Sequence, residues 1–338
     1  MKKVFQTERY KQYAMGKALR DLEWKRKWKR KKRKGNTDSS LRLAKSRRRL
    51  SSKHKTITVP AKFSLVENPD ETLRFFEEVN GYVKNNVSVR LDLQNVVFLT
   101  PDALLYLVAS LDYYRQKKTL YNISGNLPKE QRCRTLFMDS GFLNYVHSKF
   151  KQEHKNTGIL SISKHSLVEG SLAKNILDFC LKHLGQNKDK QSRDVYRMLV
   201  ELMNNTRDHA YPEDREGLRW YMMAIYDTDK ARMTVSFLDT GVGIPTTIKK
   251  NFSEKFRDMI GTPQHNILVR SALEGEFRTR TQEGYRGKGL PSIYKCFQEG
   301  SMQNLTIVSK RAFLNLTSGP ECDLNVALRG SLYSWTMS

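Results

Sequence analysis

Between residue 56 and the C-terminus the period of the apolar positions changes repeatedly, and each change marks an element. Thr56–Val59 and Val87–Leu93 read as strands. In the second, Val87, Val89, Leu91 and Leu93 alternate with Ser88, Arg90 and Asp92, the period of two of a half-buried strand. Asp70–Lys84 reads as the helix between them. Thr100 and then Pro101 read as an N-cap and a proline at the first helical position. Leu104, Leu105, Leu107, Val108 and Leu111 give that helix its inward side, and a strand follows at Leu120–Ile123. Strand, capped helix and strand compose an α/β unit. Polar Lys149–His165 reads as a linker or an edge strand. Ser166–Leu184 and Lys190–Tyr211 read as helices, and Leu218–Tyr226 and Met233–Leu238 as paired strands turning at Asp227–Asp229. Leu290–Phe297 reads as a helix and Asn325–Ser334 as the last strand.

The stretch Val200–Tyr211 carries the first chemical signal. At about 100° per residue, Val195, Leu199 and Leu202 share an apolar stripe. Glu201, Asn205 and His209, spaced by four, line the edge of that face. A carboxylate, an amide and an imidazole at a burial boundary need partners. They are either a solvated flank or one wall of a ligand site, and the helix alone leaves both open.

Charge sharpens the picture at the other end. Residues 1–56 hold 22 Lys and Arg against four acids, which is +18 of the total +25. Within this arm, WKRKWKRKKRK places Trp24 and Trp28 on one helical face among Lys25, Arg26, Lys27, Lys29 and Arg30. So concentrated a positive charge points to a polyanion, nucleic acid or an anionic membrane face, with the indoles free to stack on bases. The same run also reads as a nuclear-targeting signal or as a solvated tail. The four cysteines (Cys133, Cys180, Cys296, Cys322) are far apart and form no CxxC pair, which speaks against a zinc site and a disulfide framework. Such cysteines fit a reducing setting, so the expectation is a cytoplasmic protein, and no membrane span is expected because the longest apolar run, Val96–Leu111, is broken by Thr100, Pro101 and Asp102.

Two glycine clusters follow the paired strands. Asp239-Thr240-Gly241-Val242-Gly243-Ile244-Pro245 sets an acid at a strand end before two glycines; taken alone it is either an ordinary Asp/Gly turn or a site where backbone approaches a ligand and the carboxylate accepts a hydrogen bond from an amine. Gly284-Tyr285-Arg286-Gly287-Lys288-Gly289-Leu290 leads into a helix, where amides beside two cations suit a phosphate chain. It is not a P-loop, having no GxxxxGK[ST].

Two resemblances gather these pieces. LDLQNVVFLTPDALLYLVASL, within about Thr56–Val146, resembles the STAS domain of anti-anti-sigma factors. In that family a serine after an aspartate at the start of this helix is the phosphorylated residue; here Thr100 and Pro101 hold the aspartate and serine places, so Thr100 is read as a cap and the domain as a scaffold or docking module. ELMNNTRDHAY, DTGVGIP, GYRGKGL and the terminal Gly330-Ser331, in that order over about Ser166–Ser338, resemble the N, G1 and G2 boxes and final glycine–hydroxyl pair of the GHKL ATP-binding superfamily. The HAY ending is close to the anti-sigma-factor kinase form.

The resemblance implies an α/β chain: a basic arm (1–56), a STAS-like α/β domain (57–148), a linker (149–165) and a Bergerat-fold α/β sandwich (166–338), a mixed sheet with helices on one face and a lid over 244–287. It implies ATP and Mg²⁺ as ligands. Asn205 would ligate Mg²⁺ and Glu201 would orient or activate the attacking water or hydroxyl, with His209 near them. Asp239 and Ser331 would read the adenine, and Gly241 and Gly243 would admit the base and ribose. Arg286, Gly287, Lys288, Gly289 and Leu290 would hold the phosphates. Lid cations Lys249, Lys250, Arg270, Arg278 and Arg280 would sense the γ-phosphate. Expected partners are nucleic acid through residues 1–56, a protein through the STAS-like domain, and a second copy in an ATP-dependent homodimer. Three activities stay open: an ATPase conformational switch, a serine/threonine kinase or sequestering regulator of the anti-sigma type, and a nucleic-acid-binding protein with a structural ATP site.

Overall fold

The computed structural model describes residues 54–116, 122–146, 158–185, 189–209, 219–251, 263–277, 289–317 and 319–338. The N-terminal unit is built on a parallel three-stranded sheet, β1 (His54–Thr58), β3 (Ser88–Asp92) and β5 (Ile123–Gly125), with β3 central. A second parallel pair joins β2 (Lys62–Phe63) to β4 (Phe98–Leu99). His54, Lys55 and Thr56, which composition groups with the arm, pair with β3. Helix α1 (Pro69–Lys84) buries Leu73, Phe75, Phe76, Val79 and Val83, the i, i+3, i+4 spacing of an inward face.

Helix α2 (Pro101–Gln116) is different: 12 of its 16 residues are buried. A helix apolar all round sits between two layers, and α2 lies within the N-terminal core on one side and against two strands of the next sheet on the other. Thr100 directly precedes it, but its hydroxyl reaches the Phe63 carbonyl at 3.5 Å. Asp102 anchors the helix start, accepting the Leu65 amide at 2.6 Å, while burial pushes its carboxyl above the usual range. Helix α3 (Gln131–Asp139), capped by Glu130, and a 3₁₀ turn (Phe142–Tyr145) complete the unit.

The C-terminal unit is a seven-stranded sheet in the order β11-β10-β9-β12-β8-β7-β6: β6 (Ile159–His165), β7 (Trp220–Asp227), β8 (Arg232–Asp239), β9 (Gln303–Ser309), β10 (Ala312–Asn315), β11 (Glu321–Asp323) and β12 (Ser331–Met337). Every neighbouring pair is antiparallel. The expected mixed sheet is thus corrected: hairpins join β7 to β8 and β9 to β10, and β12 enters antiparallel to both β8 and β9. Ile159–His165, within the segment read as linker or edge strand, is the edge strand. The last strand starts at Ser331, not Asn325.

Side-chain alternation assigns the two faces. Trp220, Met222, Ala224, Met233, Val235, Phe237, Ile307, Tyr333, Trp335 and Met337 face a core shared with α4 (Gly170–Leu184), α5 (Asp189–His209), α6 (Ile244–Asn251), α7 (His265–Glu274) and α8 (Gly289–Gln298). Tyr221, Met223, Leu238, Val308 and Leu332 point the other way, into the core of the N-terminal unit. Helices on one face were expected; the second face is covered by α2, and the unbroken apolar run WYMMAIY is the sequence trace of that double burial. Asp112 of α2 locks the junction. Its Oδ2 accepts Tyr221 Oη at 2.8 Å and Lys164 Nζ at 2.5 Å, and burial with this carboxylate raises the Tyr221 hydroxyl's pKa.

Candidate functional site

The first half of the site grows from the sheet register. Trp220, Asp239, Ser331 and Ser309 stand side by side across β7, β8, β12 and β9. Each continues the series of its strand that faces the helices, so beyond Trp220 an apolar face ends in a polar row of Asp239, Ser331 and Ser309. Asp239 is 8% exposed. Its Oδ1 accepts the Gly241 amide at 2.7 Å, and the Ser331 hydroxyl and amide also bond to it. Burial outweighs these bonds and pushes the carboxyl up to about 6. Ser309, which the sequence did not single out, ties the row together. Its Oγ accepts the Ile244 amide at 2.9 Å and lies 3.0 Å from Ser331 Oγ. A serine ending an alternating strand carries no period signal that could have marked it.

Backbone conformation explains two glycines here. Gly330 has φ +94, and a Cβ on it would stand 1.9 Å from the Asp239 carbonyl oxygen. Gly243 has φ +85, with a Cβ position 2.9 Å from Lys310 Cγ and 3.2 Å from the Gly330 carbonyl. Lys310, on the β9–β10 turn, is a second residue that sequence reasoning missed. Burial lowers its pKa, Arg329 adds to this and Asp239 opposes it.

The second half lies between helices. Along α5, Val195, Met198, Leu199, Leu202 and Met203 are buried, so the expected stripe is present. Glu201 and Asn205 are half-buried at its edge. The first residue of α8 is Gly289, and a Cβ there would stand 2.7 Å from Asn205 Oδ1, 3.0 Å from Asn205 Nδ2 and 3.2 Å from Glu201 Oε2. The structure thus brings Gly289 to a pair of residues that lie more than 80 positions before it in the sequence. Among the described residues Asn205 Nδ2 is buried without a hydrogen-bond partner, an unsatisfied donor of the kind a ligand repairs. The positive end of α8 opens at the same place. Leu290 is half-buried on the helical core.

The donor set suits Mg²⁺ in kind: an amide oxygen and a carboxylate are hard oxygen ligands. Among the described residues no group of three His, Cys, Asp or Glu side chains could hold a metal ion, so an ion here would take its remaining ligands from phosphate and water. Helix α5 reaches His209, whose side chain is outside the described residues, as are Arg286, Gly287, Lys288, Arg278, Arg280, the side chain of Lys250, and Trp24–Arg30.

The segment expected to be a lid contains two packed helices. Ile248 of α6 and Leu268, Val269, Ala272 and Leu273 of α7 are in the core. Asp323 caps α7, accepting the His265 and Asn266 amides at 3.0 and 2.8 Å. Arg270 is committed to an ion pair with Glu321 and lies over the Tyr294 ring at 5.6 Å, which takes it away from phosphate sensing. A cover moving as one piece from 244 to 287 would have to pull this core apart. Among the described residues no helix is long and apolar enough to cross a membrane. The chain matches no protein-family model and no curated protein.

Proposed function

We propose that the chain is an Mg²⁺-dependent ATP-binding protein of the GHKL type, a slow ATPase whose nucleotide state sets the conformation of a switch. The observation that carries this reading is the meeting of Gly289 with Asn205 and Glu201, where a buried amide nitrogen lacks a partner among the described residues at the mouth of a helix N-terminus. Asp239 would accept the exocyclic amine of adenine, with Ser331 beside it, and Gly241 and Gly243 would let the base approach. Gly289 and the residues before it, Arg286, Gly287 and Lys288, would receive the phosphates at the start of α8. Asn205 would give an oxygen to Mg²⁺, which when bound neutralises phosphate charge. Glu201, one turn earlier on α5, would orient a water and take its proton.

The packing supports a switch rather than an isolated pocket. The segment before Ser331 is held by the N-terminal unit: the Arg329 amide donates to Tyr106 Oη at 3.1 Å, and Asn325 bonds Asp70. A change at Ser331 therefore bears on α1 and α2, and through β1 on the basic arm, whose charge fits nucleic acid. Because α2 is buried by its own chain, a protein partner of this unit would have to use other surfaces.

The test is equilibrium binding of ATP and ADP with and without Mg²⁺, then turnover with and without DNA or RNA, on the full chain and on a chain beginning at His54. Expected are Mg²⁺-dependent binding lost in Asn205→Ala, and turnover reduced about 10²-fold or more in Glu201→Ala with binding retained. Failure of the wild-type chain to bind either nucleotide with Mg²⁺ would overturn the reading. Binding without turnover would select the structural-nucleotide alternative, and transfer of phosphate to a protein the kinase alternative.

A further inference from the structure

A second cleft, of about 260 Å³, lies behind the Asp239 loop, between α1 and α2 on one side and Thr240 and the 326–329 segment on the other. Its walls are aromatic. Phe76 and Tyr106 meet edge to face at 4.6 Å, and Tyr113 lies beneath the Arg329 guanidinium at 3.6 Å. Arg329 is the unusual member. Its Nη1 is buried with no hydrogen-bond partner among the described residues. Stacking on Tyr113 and the backbone bond to Tyr106 hold the guanidinium in one orientation, so little freedom remains to be lost when an anion binds it. Exposed Lys84 adds a second positive charge to the lining, and exposed Glu77 is its one acid. The half-buried Arg329 side chain lines the cleft beside ring faces and Lys84, a lining that suits an anionic oxygen on an apolar body.

We infer that this cleft binds a small aromatic anion, a carboxylate or a phosphate ester, as an effector of the neighbouring site. Arg329 would take the anionic oxygens, and Phe76, Tyr106 and Tyr113 the ring. The coupling rests on the ATP reading; the binding does not. Thr240 lines the cleft and follows Asp239 directly, and Arg329 is joined to Gly330, which packs on the Asp239 carbonyl with no room for a Cβ. A ligand that fixes Arg329 therefore also fixes the Asp239–Ser331 end of the nucleotide pocket.

Calorimetric titration of the full chain with phenyl phosphate and, separately, with benzoate tests the site, and comparing the two tells which anion it prefers. Saturable one-to-one binding of either probe at millimolar concentration is expected. Arg329→Met should weaken it about tenfold or more. Ser110→Leu, which fills the cleft and leaves the guanidinium in place, should abolish it; this variant decides the matter if Arg329→Met does not fold. Asn205→Ala should leave probe binding intact. No saturable binding of either probe, or binding indifferent to both cleft variants, overturns the proposal. Loss in Asn205→Ala with retention in Arg329→Met also overturns it, because the probe would then sit in the nucleotide site. ADP titrations of the same proteins judge the ATP reading separately, so either can fail alone.

Discussion

Replacing Asp239 by asparagine should change how stability depends on pH. The carboxyl is buried, and its folded pKa is about 6 against 3.8 for the free group. Below 3.8 both folded and unfolded chains hold the proton and there is no penalty. Between 3.8 and about 6 the native form binds more protons than the unfolded one, so stability falls as pH rises through this window and stays lower above it. Two units correspond to roughly 3 kcal/mol. Asparagine keeps the shape and an acceptor for the Gly241 amide but has no charge to bury. Urea unfolding at constant ionic strength, followed through the fluorescence of buried Trp220 and Trp335, should show the variant gaining on the wild type by about 2–3 kcal/mol between pH 4 and pH 7. Parallel stability curves for the two proteins across that interval would refute the assignment of a burial-raised carboxyl. The same ionisation predicts that wild-type ADP affinity improves as pH rises through 6, and that the variant's affinity is weak and flat.

Gly289→Ala should reduce nucleotide affinity at least tenfold while leaving the melting temperature nearly unchanged, since the added methyl stands 2.7 Å from Asn205 Oδ1 at a position where a helix tolerates alanine; calorimetry and thermal melting read the two effects. Gly330→Ala should cost about 3 kcal/mol or more in urea unfolding, because φ is +94 and the new Cβ meets the Asp239 carbonyl oxygen. Tyr221→Phe removes the hydroxyl from Asp112 but leaves Lys164 in place, so a loss of about 1–2 kcal/mol is expected from the same assay. Arg270→Ala should lower stability, through its ion pair with Glu321, without changing the affinity for ATP over ADP.

The sequence alone determined the elements whose periods are local. The strand at Val87–Leu93, the helix from Pro101, the two helices before residue 210 and the pair around Asp227–Asp229 all stand within a few residues of their expected places, because alternation, helical spacing and caps act over one or two turns. It also singled out Glu201, Asn205, Asp239 and Gly289 as candidates, since acids and amides at burial boundaries and glycines beside charges stand out residue by residue. Short strands such as β10 and β11 carry too few apolar positions to show a period, whereas Ile244, Ile248, Leu268, Val269, Ala272 and Leu273 of α6 and α7 do repeat at helical spacing inside the stretch taken as a lid. Only the tertiary structure decided what these residues meet. The register of β7, β8, β12 and β9 sets Asp239 beside Ser331 and draws in Ser309. The packing of α8 on α5 places Gly289 against Asn205 and Glu201. The closure of α2 over the second face of the sheet turns Arg329 toward Tyr106 and Tyr113. These are contacts between positions far apart in the chain, settled by how whole faces fit together rather than by any local preference of the residues involved.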